Sequence, residues 1–75
     1  MLILYYRQGL GRLTVARYGS GGRLLGEEVF EGVRQLVFRG VTVRSHSGVE
    51  GEVRVYVVEG SPRVEKRGAV IIVSS

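Results

Sequence analysis

Cysteine, aspartate, asparagine and tryptophan are absent from these 75 residues; proline, histidine and lysine occur once each, and methionine stands only at position 1. Each absence excludes something. Without cysteine there are no disulfides and no thiolate metal sites. Without aspartate, and with His46 alone, there is neither a Ser-His-Asp relay nor a transition-metal ligand set. The serines that flank His46 sit on the opposite side of an extended chain from it, so SHS is not a nucleophile and base pair. These gaps predict a non-enzymatic protein with no cofactor and no metal.

Long apolar runs are also missing. The longest falls far short of the roughly 18 residues that a helical membrane span requires, and MLILYY is too short, without a basic start or a small-residue cleavage site, to be a signal peptide. The expectation is a soluble cytoplasmic protein with no membrane partner. Depletion of thermolabile residues, with ten of eleven cations being arginine, points to a thermophilic source, archaeal or viral.

The chain predicts a single domain over residues 1–75. At this size a hydrophobic core supplies only about 3–5 kcal/mol of net stability. Support from a partner or from a second copy is therefore expected, as a homo-oligomer, most simply a homodimer. Val70, Ile71, Ile72 and Val73, apolar on both faces of a strand, suggest either a strand covered on both sides or the seam with a second copy.

Charge is what the chain has in excess. The net charge is +4 and the isoelectric point about 10.1, and such a surface attracts polyanions. The distribution is uneven: residues 1–26 hold Arg7, Arg12, Arg17 and Arg23 and no acid, while all seven glutamates lie downstream. Leu2 to Arg7 and Arg12 to Tyr18 read as two strands of a hairpin around QGLG, with a type II′ turn at Gly9. The register sets Arg7 opposite Arg12, Tyr6 opposite Leu13, Tyr5 opposite Thr14, Leu4 opposite Val15 and Ile3 opposite Ala16. One face is then apolar (Leu2, Leu4, Tyr6, Leu13, Val15); the other carries Tyr5, Arg7, Arg12, Thr14 and Tyr18. Like charges directly opposite one another are unfavourable unless solvent or an anion screens them. Arginines interleaved with aromatic rings suit a β surface that holds phosphates and stacks bases. The candidate nucleic-acid-binding residues are Tyr5, Arg7, Arg12, Arg17, Tyr18 and Arg23.

After GSGG the period changes. Leu25, Val29, Val33, Leu36 and Val37 recur at helical spacing, with glutamates early, Arg39 late and Gly40 beyond, so residues 27–39 read as an amphipathic helix; a bulged strand from Arg34 to Phe38 is the alternative. The glycine-rich SGGRLLGEE before it resembles a phosphate loop only weakly, since two glutamates would repel the anion. From Val41 the period is two, giving strands in VTVRSHS, GEVRVYVVEG and RGAVIIVSS. Val53, Val55 and Val57 form the expected buried side, with Glu52, Arg54 and Tyr56 on the wet one. A turn at Gly48 is expected to pair Arg44 with Glu52 and Thr42 with Arg54. EGSPRVEKR, with Pro62, reads as a loop.

The closing KRGAVIIVSS resembles the second motif of Sm-like RNA-binding proteins, an Arg-Gly followed by a short hydrophobic strand. VTVRSHSGVEGEV is similar to their opening strand and glycine-containing turn. The likeness covers about half of the chain. The Asp and Asn that hold the nucleotide in that family have no counterpart, so no site residue is carried over.

The combined expectation is an α+β fold of order ββαβββ, a twisted antiparallel sheet packed on one short helix, with a small all-β barrel as the alternative. The expected function is sequence-tolerant nucleic-acid binding in a chromatin, ribonucleoprotein or viral setting. The alternative is a homo-oligomeric structural or protein-interaction subunit with no nucleic-acid role.

Overall fold

A computed structural model describes residues 1–47 and 53–75. Eight strands follow one another among these residues: β1 (Leu2–Arg7), β2 (Arg12–Tyr18), β3 (Leu24–Phe30), β4 (Gln35–Arg39), β5 (Val43–Ser47), β6 (Val53–Val58), β7 (Arg63–Arg67) and β8 (Val70–Ser74). They form two sheets. The larger has the order β3-β2-β1-β6-β5 and is antiparallel throughout. The smaller has the order β4-β8-β7, with β4 parallel to β8 and β7 antiparallel to it. Neither closes into a barrel.

The expected helix does not form. Its residues divide between β3, a four-residue crossing and β4. Val29, Phe30, Val33, Val37 and Phe38 are β-branched or aromatic and favour extended backbone, and Gly32, with φ of 69°, takes a left-handed conformation that a right-handed helix does not contain. The α+β expectation is corrected to an all-β fold of two packed sheets. With no helix after it, the SGGRLLGEE segment has no helix start to hold an anion; Ser20–Gly22 is a single 3₁₀ turn leading into β3.

The first hairpin has the expected register, Arg7 opposite Arg12 through Ile3 opposite Ala16. Its turn differs. Gln8–Leu10 form one 3₁₀ turn closed by the Gly11 amide donating to the Gln8 carbonyl at 3.1 Å, with Gly11 rather than Gly9 at positive φ, 62°. Alternation then buries Leu2, Leu4 and Tyr6 of β1 with Leu13 and Val15 of β2. These residues, with Val58 of β6 and Ile71 and Val73 of β8, make the core between the sheets. Burying each such aliphatic side chain contributes roughly 1.5–3 kcal/mol.

Val33 closes one end of this core. It is buried in the crossing from β3 to β4, its amide donates to the Gly11 carbonyl at 2.8 Å, and its carbonyl accepts the Tyr6 hydroxyl at 2.8 Å. One residue on, the Arg34 amide donates to the Ala69 carbonyl at 2.7 Å. The crossing is thus tied to a turn of each sheet.

Three further expectations are corrected. Strand β6 shows the opposite face: Val58 and Tyr56 turn towards the core, where the Tyr56 ring lies 5.3 Å from that of Phe38, and Val53, Val55 and Val57 lie on the side away from the small sheet. In β5, Arg44 is opposite Val57 and Ser47 opposite Arg54, so Arg44 does not face Glu52 nor Thr42 Arg54; the expected turn at Gly48 lies outside the described residues. Setting Val43 against fully buried Val58 removes apolar surface from water, which outweighs exposed charge pairs. Finally, Arg63–Arg67 is an edge strand rather than a loop, with Pro62 just before it, where a missing amide interrupts no ladder. Strand β8 lies between β4 and β7 with Ile71 and Val73 fully buried. Ile71 and Val73 belong to the core, while Val70 and Ile72 are half-buried on the other face of the small sheet.

Candidate nucleic-acid interface

Among the described residues, no strand of the small sheet packs on the face of the large sheet that points away from the core. Register fixes what stands on it. One row across the sheet runs Val29, Thr14, Tyr5, Val55 and His46, and the next runs Glu27, Ala16, Ile3, Val57 and Arg44. At the hairpin end a shorter row sets Arg12 beside Arg7 and Arg7 beside Val53. The centre of the face is aliphatic and partly buried; Arg7 and Arg12 stand at its hairpin end, Arg44 and His46 at its β5 edge, and Glu27 and Val29 at its β3 edge.

Tyr5, Arg7 and Arg12 come together at that end, all exposed, with Tyr5 at 38%. The like-charged pair is offset on one side only. The Arg12 Nε donates to Glu31 Oε1 at 2.8 Å, whereas Arg7 has no ion-pair partner among the described residues. An exposed pair such as Arg12–Glu31 is worth about 0.2–1 kcal/mol, weak enough for a phosphate to displace it.

Two arginines that sequence reasoning did not select stand at the same end. Arg54 is exposed opposite Tyr6 on the other side of the sheet. Arg34 lines a shallow cleft of about 420 Å³ between the 8–11 turn and the crossing, together with Tyr6, Gln8 and the backbone of Gly9, Gly11 and Gly32. Arg44 and His46, on the open face of β5, were also missed. No local signal marks Arg34 or Arg54, because they are brought near residues 5–12 by the crossing after β3 and by the pairing of β1 with β6.

Arg17, Tyr18 and Arg23 are elsewhere. Five residues of strand separate Arg17 from Arg12, roughly 16 Å, and the odd interval turns Arg17 to the opposite face. There, half-buried, it lines a groove of about 210 Å³ with Val15, Leu25 and Glu28. Tyr18 shares the open face with Arg12 by alternation but lies at the far end of β2, its amide donating to the Met1 carbonyl at 2.8 Å. Arg23 is exposed just before β3. The six sequence-selected residues therefore form one cluster of three and three positions remote from it.

The basic segment before β8 is partly neutralised. Glu65 accepts a hydrogen bond from Arg67 Nε at 2.7 Å, and this bond, followed by the charge of Glu65, pushes the Arg67 pKa up from its ordinary value. Arg44 lies 3.8 Å from Glu59. No helix among the described residues is long and apolar enough to cross a membrane.

Comparison with family models, with curated proteins and with solved structures matches this chain to none. In KRGAVIIVSS, Gly68 serves a two-residue turn between β7 and β8 with φ of 58°.

Proposed function

We propose that the protein is a non-enzymatic nucleic-acid-binding module that uses the hairpin end of its large sheet. Arg7 and Arg12 hold backbone phosphates, Arg34 and Arg54 extend the positive field, and Tyr5 offers a ring to an unpaired base. The observation that carries this reading is the direct opposition of Arg7 and Arg12, both exposed on the face away from the core, with exposed Tyr5 two residues from Arg7. Placing two guanidinium groups side by side is unfavourable in the isolated protein. An anion between them reverses the sign of that interaction, and the bidentate geometry of arginine suits phosphate. None of these contacts reads a base edge, so binding is sequence-tolerant.

Each phosphate contact releases counterions, and the logarithmic slope of affinity against salt is about 0.7–0.9 per contact. The test is oligonucleotide binding measured by anisotropy over a range of salt concentrations. Arg7→Ala with Arg12→Ala should flatten the slope by about two units. Arg17→Ala with Arg23→Ala, at the far end, should leave it nearly unchanged. Equal effects of the two double variants would replace the local interface with a diffuse charge effect. A parent protein that binds no oligonucleotide at low salt would leave a structural, self-associating subunit as the better reading.

A further inference from the structure

The cleft between residues 8–11 and the crossing into β4 is neutral inside and cationic at its margin. Its volume of about 420 Å³ falls within the roughly 300–1,000 Å³ of small-molecule sites. Two of its backbone donors are already spent: the Gly11 amide donates to the Gln8 carbonyl and the Val33 amide to the Gly11 carbonyl. The Tyr6 hydroxyl gives its proton to the Val33 carbonyl, so towards a ligand its oxygen can only accept. A phosphate seated against these groups would meet lone pairs. A neutral ring with an N–H donor would instead find an acceptor at Tyr6 and both a donor and an acceptor at the exposed Gln8 carboxamide. Leu10, 62% exposed, adds an apolar contact. Among the described residues nothing lies within 4 Å of where a Cβ of Gly9 or Gly32 would stand, which leaves the backbone open to close approach by a flat group.

Cations border this neutral interior. Arg34 lines the cleft and is exposed. Arg7 immediately precedes Gln8, and Arg12 immediately follows Gly11 and bonds Glu31, the neighbour of Gly32. We propose that the cleft takes an unpaired nucleobase, splayed from the same strand whose phosphates Arg7 and Arg12 hold. This inference rests on the nucleic-acid reading above and adds a second base site to Tyr5. Successive residues of a strand point to opposite faces, so Tyr5 and Tyr6 place the two sites on either side of the large sheet. A single strand rounding the hairpin end then has its phosphates on Arg7 and Arg12, one base on Tyr5 and another in the cleft. Every base carries an N–H donor, so the cleft imposes no single sequence. A base held in a duplex must first leave its stack to enter, which costs a few kcal/mol, so the site favours single strands.

The test compares a single-stranded oligonucleotide with an abasic strand of the same length, both titrated by anisotropy at low salt. Gln8→Ala with Leu10→Ala changes two exposed, uncharged side chains, so the net charge is unaltered and the thermal melt should stay in place. Affinity for the base-bearing strand should fall about fivefold or more, through a lost hydrogen bond and lost apolar contact. The salt slope should not change, and the abasic strand should bind this variant as it binds the parent. A double variant that holds the base-bearing strand as tightly as the parent overturns the base site, while the phosphate contacts of Arg7 and Arg12 still stand on their own salt slope. An equal loss on the abasic strand overturns it too, because the effect then belongs to the shape of the turn. A parent protein that binds neither strand overturns both this inference and the reading beneath it.

Discussion

The Tyr6 hydroxyl donates to the Val33 carbonyl at 2.8 Å across 27 residues of sequence, fastening the central strand of the large sheet to the crossing that starts the small one. Both groups are buried. Tyr6→Phe keeps the ring and strands the carbonyl, at a cost of about 1–3 kcal/mol. Denaturant titration should show a lower midpoint with an unchanged slope, and an unchanged midpoint would show that the bond contributes nothing.

Gly11 presents the other half of the same junction. Its φ is 62°, and a Cβ there would lie 3.3 Å from the Val33 carbonyl oxygen. Gly11→Ala should therefore destabilise by more than about 1 kcal/mol, strain adding to the close contact. Gly9→Ala, with open space around it, should be nearly neutral. Paired thermal melts distinguish the two.

Leu4 is fully buried near the centre of the core. Leu4→Ala leaves a cavity between sheets that are pinned at one end by Val33, and should cost about 2–5 kcal/mol. In a domain of this size that is a large share of the total stability, so the measurement to make is the fraction folded at ambient temperature by circular dichroism.

Glu31 competes with phosphate for Arg12. Glu31→Gln removes the competing charge, and oligonucleotide affinity at low salt should rise several-fold, about the worth of one exposed ion pair. A fall in affinity would mean that Glu31 positions Arg12 rather than masks it.

Tyr5 acts by its ring. Tyr5→Ala should weaken single-stranded oligonucleotides by about 1–3 kcal/mol, since stacking needs a free base face, and should affect duplex much less. Equal losses on both substrates would assign Tyr5 to the fold.

Local pattern determined the first hairpin completely except for its turn. Two strands five residues apart in sequence, each with one apolar face, have a single register that buries Leu2, Leu4, Tyr6, Leu13 and Val15 together, and that register placed Arg7 opposite Arg12. The same period-two signal located β5, β6 and β8. It could not say which face of β6 is inside, since valines occupy one side and Tyr56 and Val58 the other; contact with Leu2, Leu4 and Phe38 decided that. Nor could spacing separate helix from strand over residues 27–39, where apolar residues at 29, 33 and 37 fit a helical face equally well. Strand β4 gains its bonds from β8, about 35 positions away, and β3 gains its bonds from β2, so tertiary pairing overrode the helical period. The composition of the candidate site divides in the same way. Arg7 and Arg12 were legible because a hairpin is local, whereas Arg34 and Arg54 reach them only through a crossing between sheets and a strand pairing that span most of the chain.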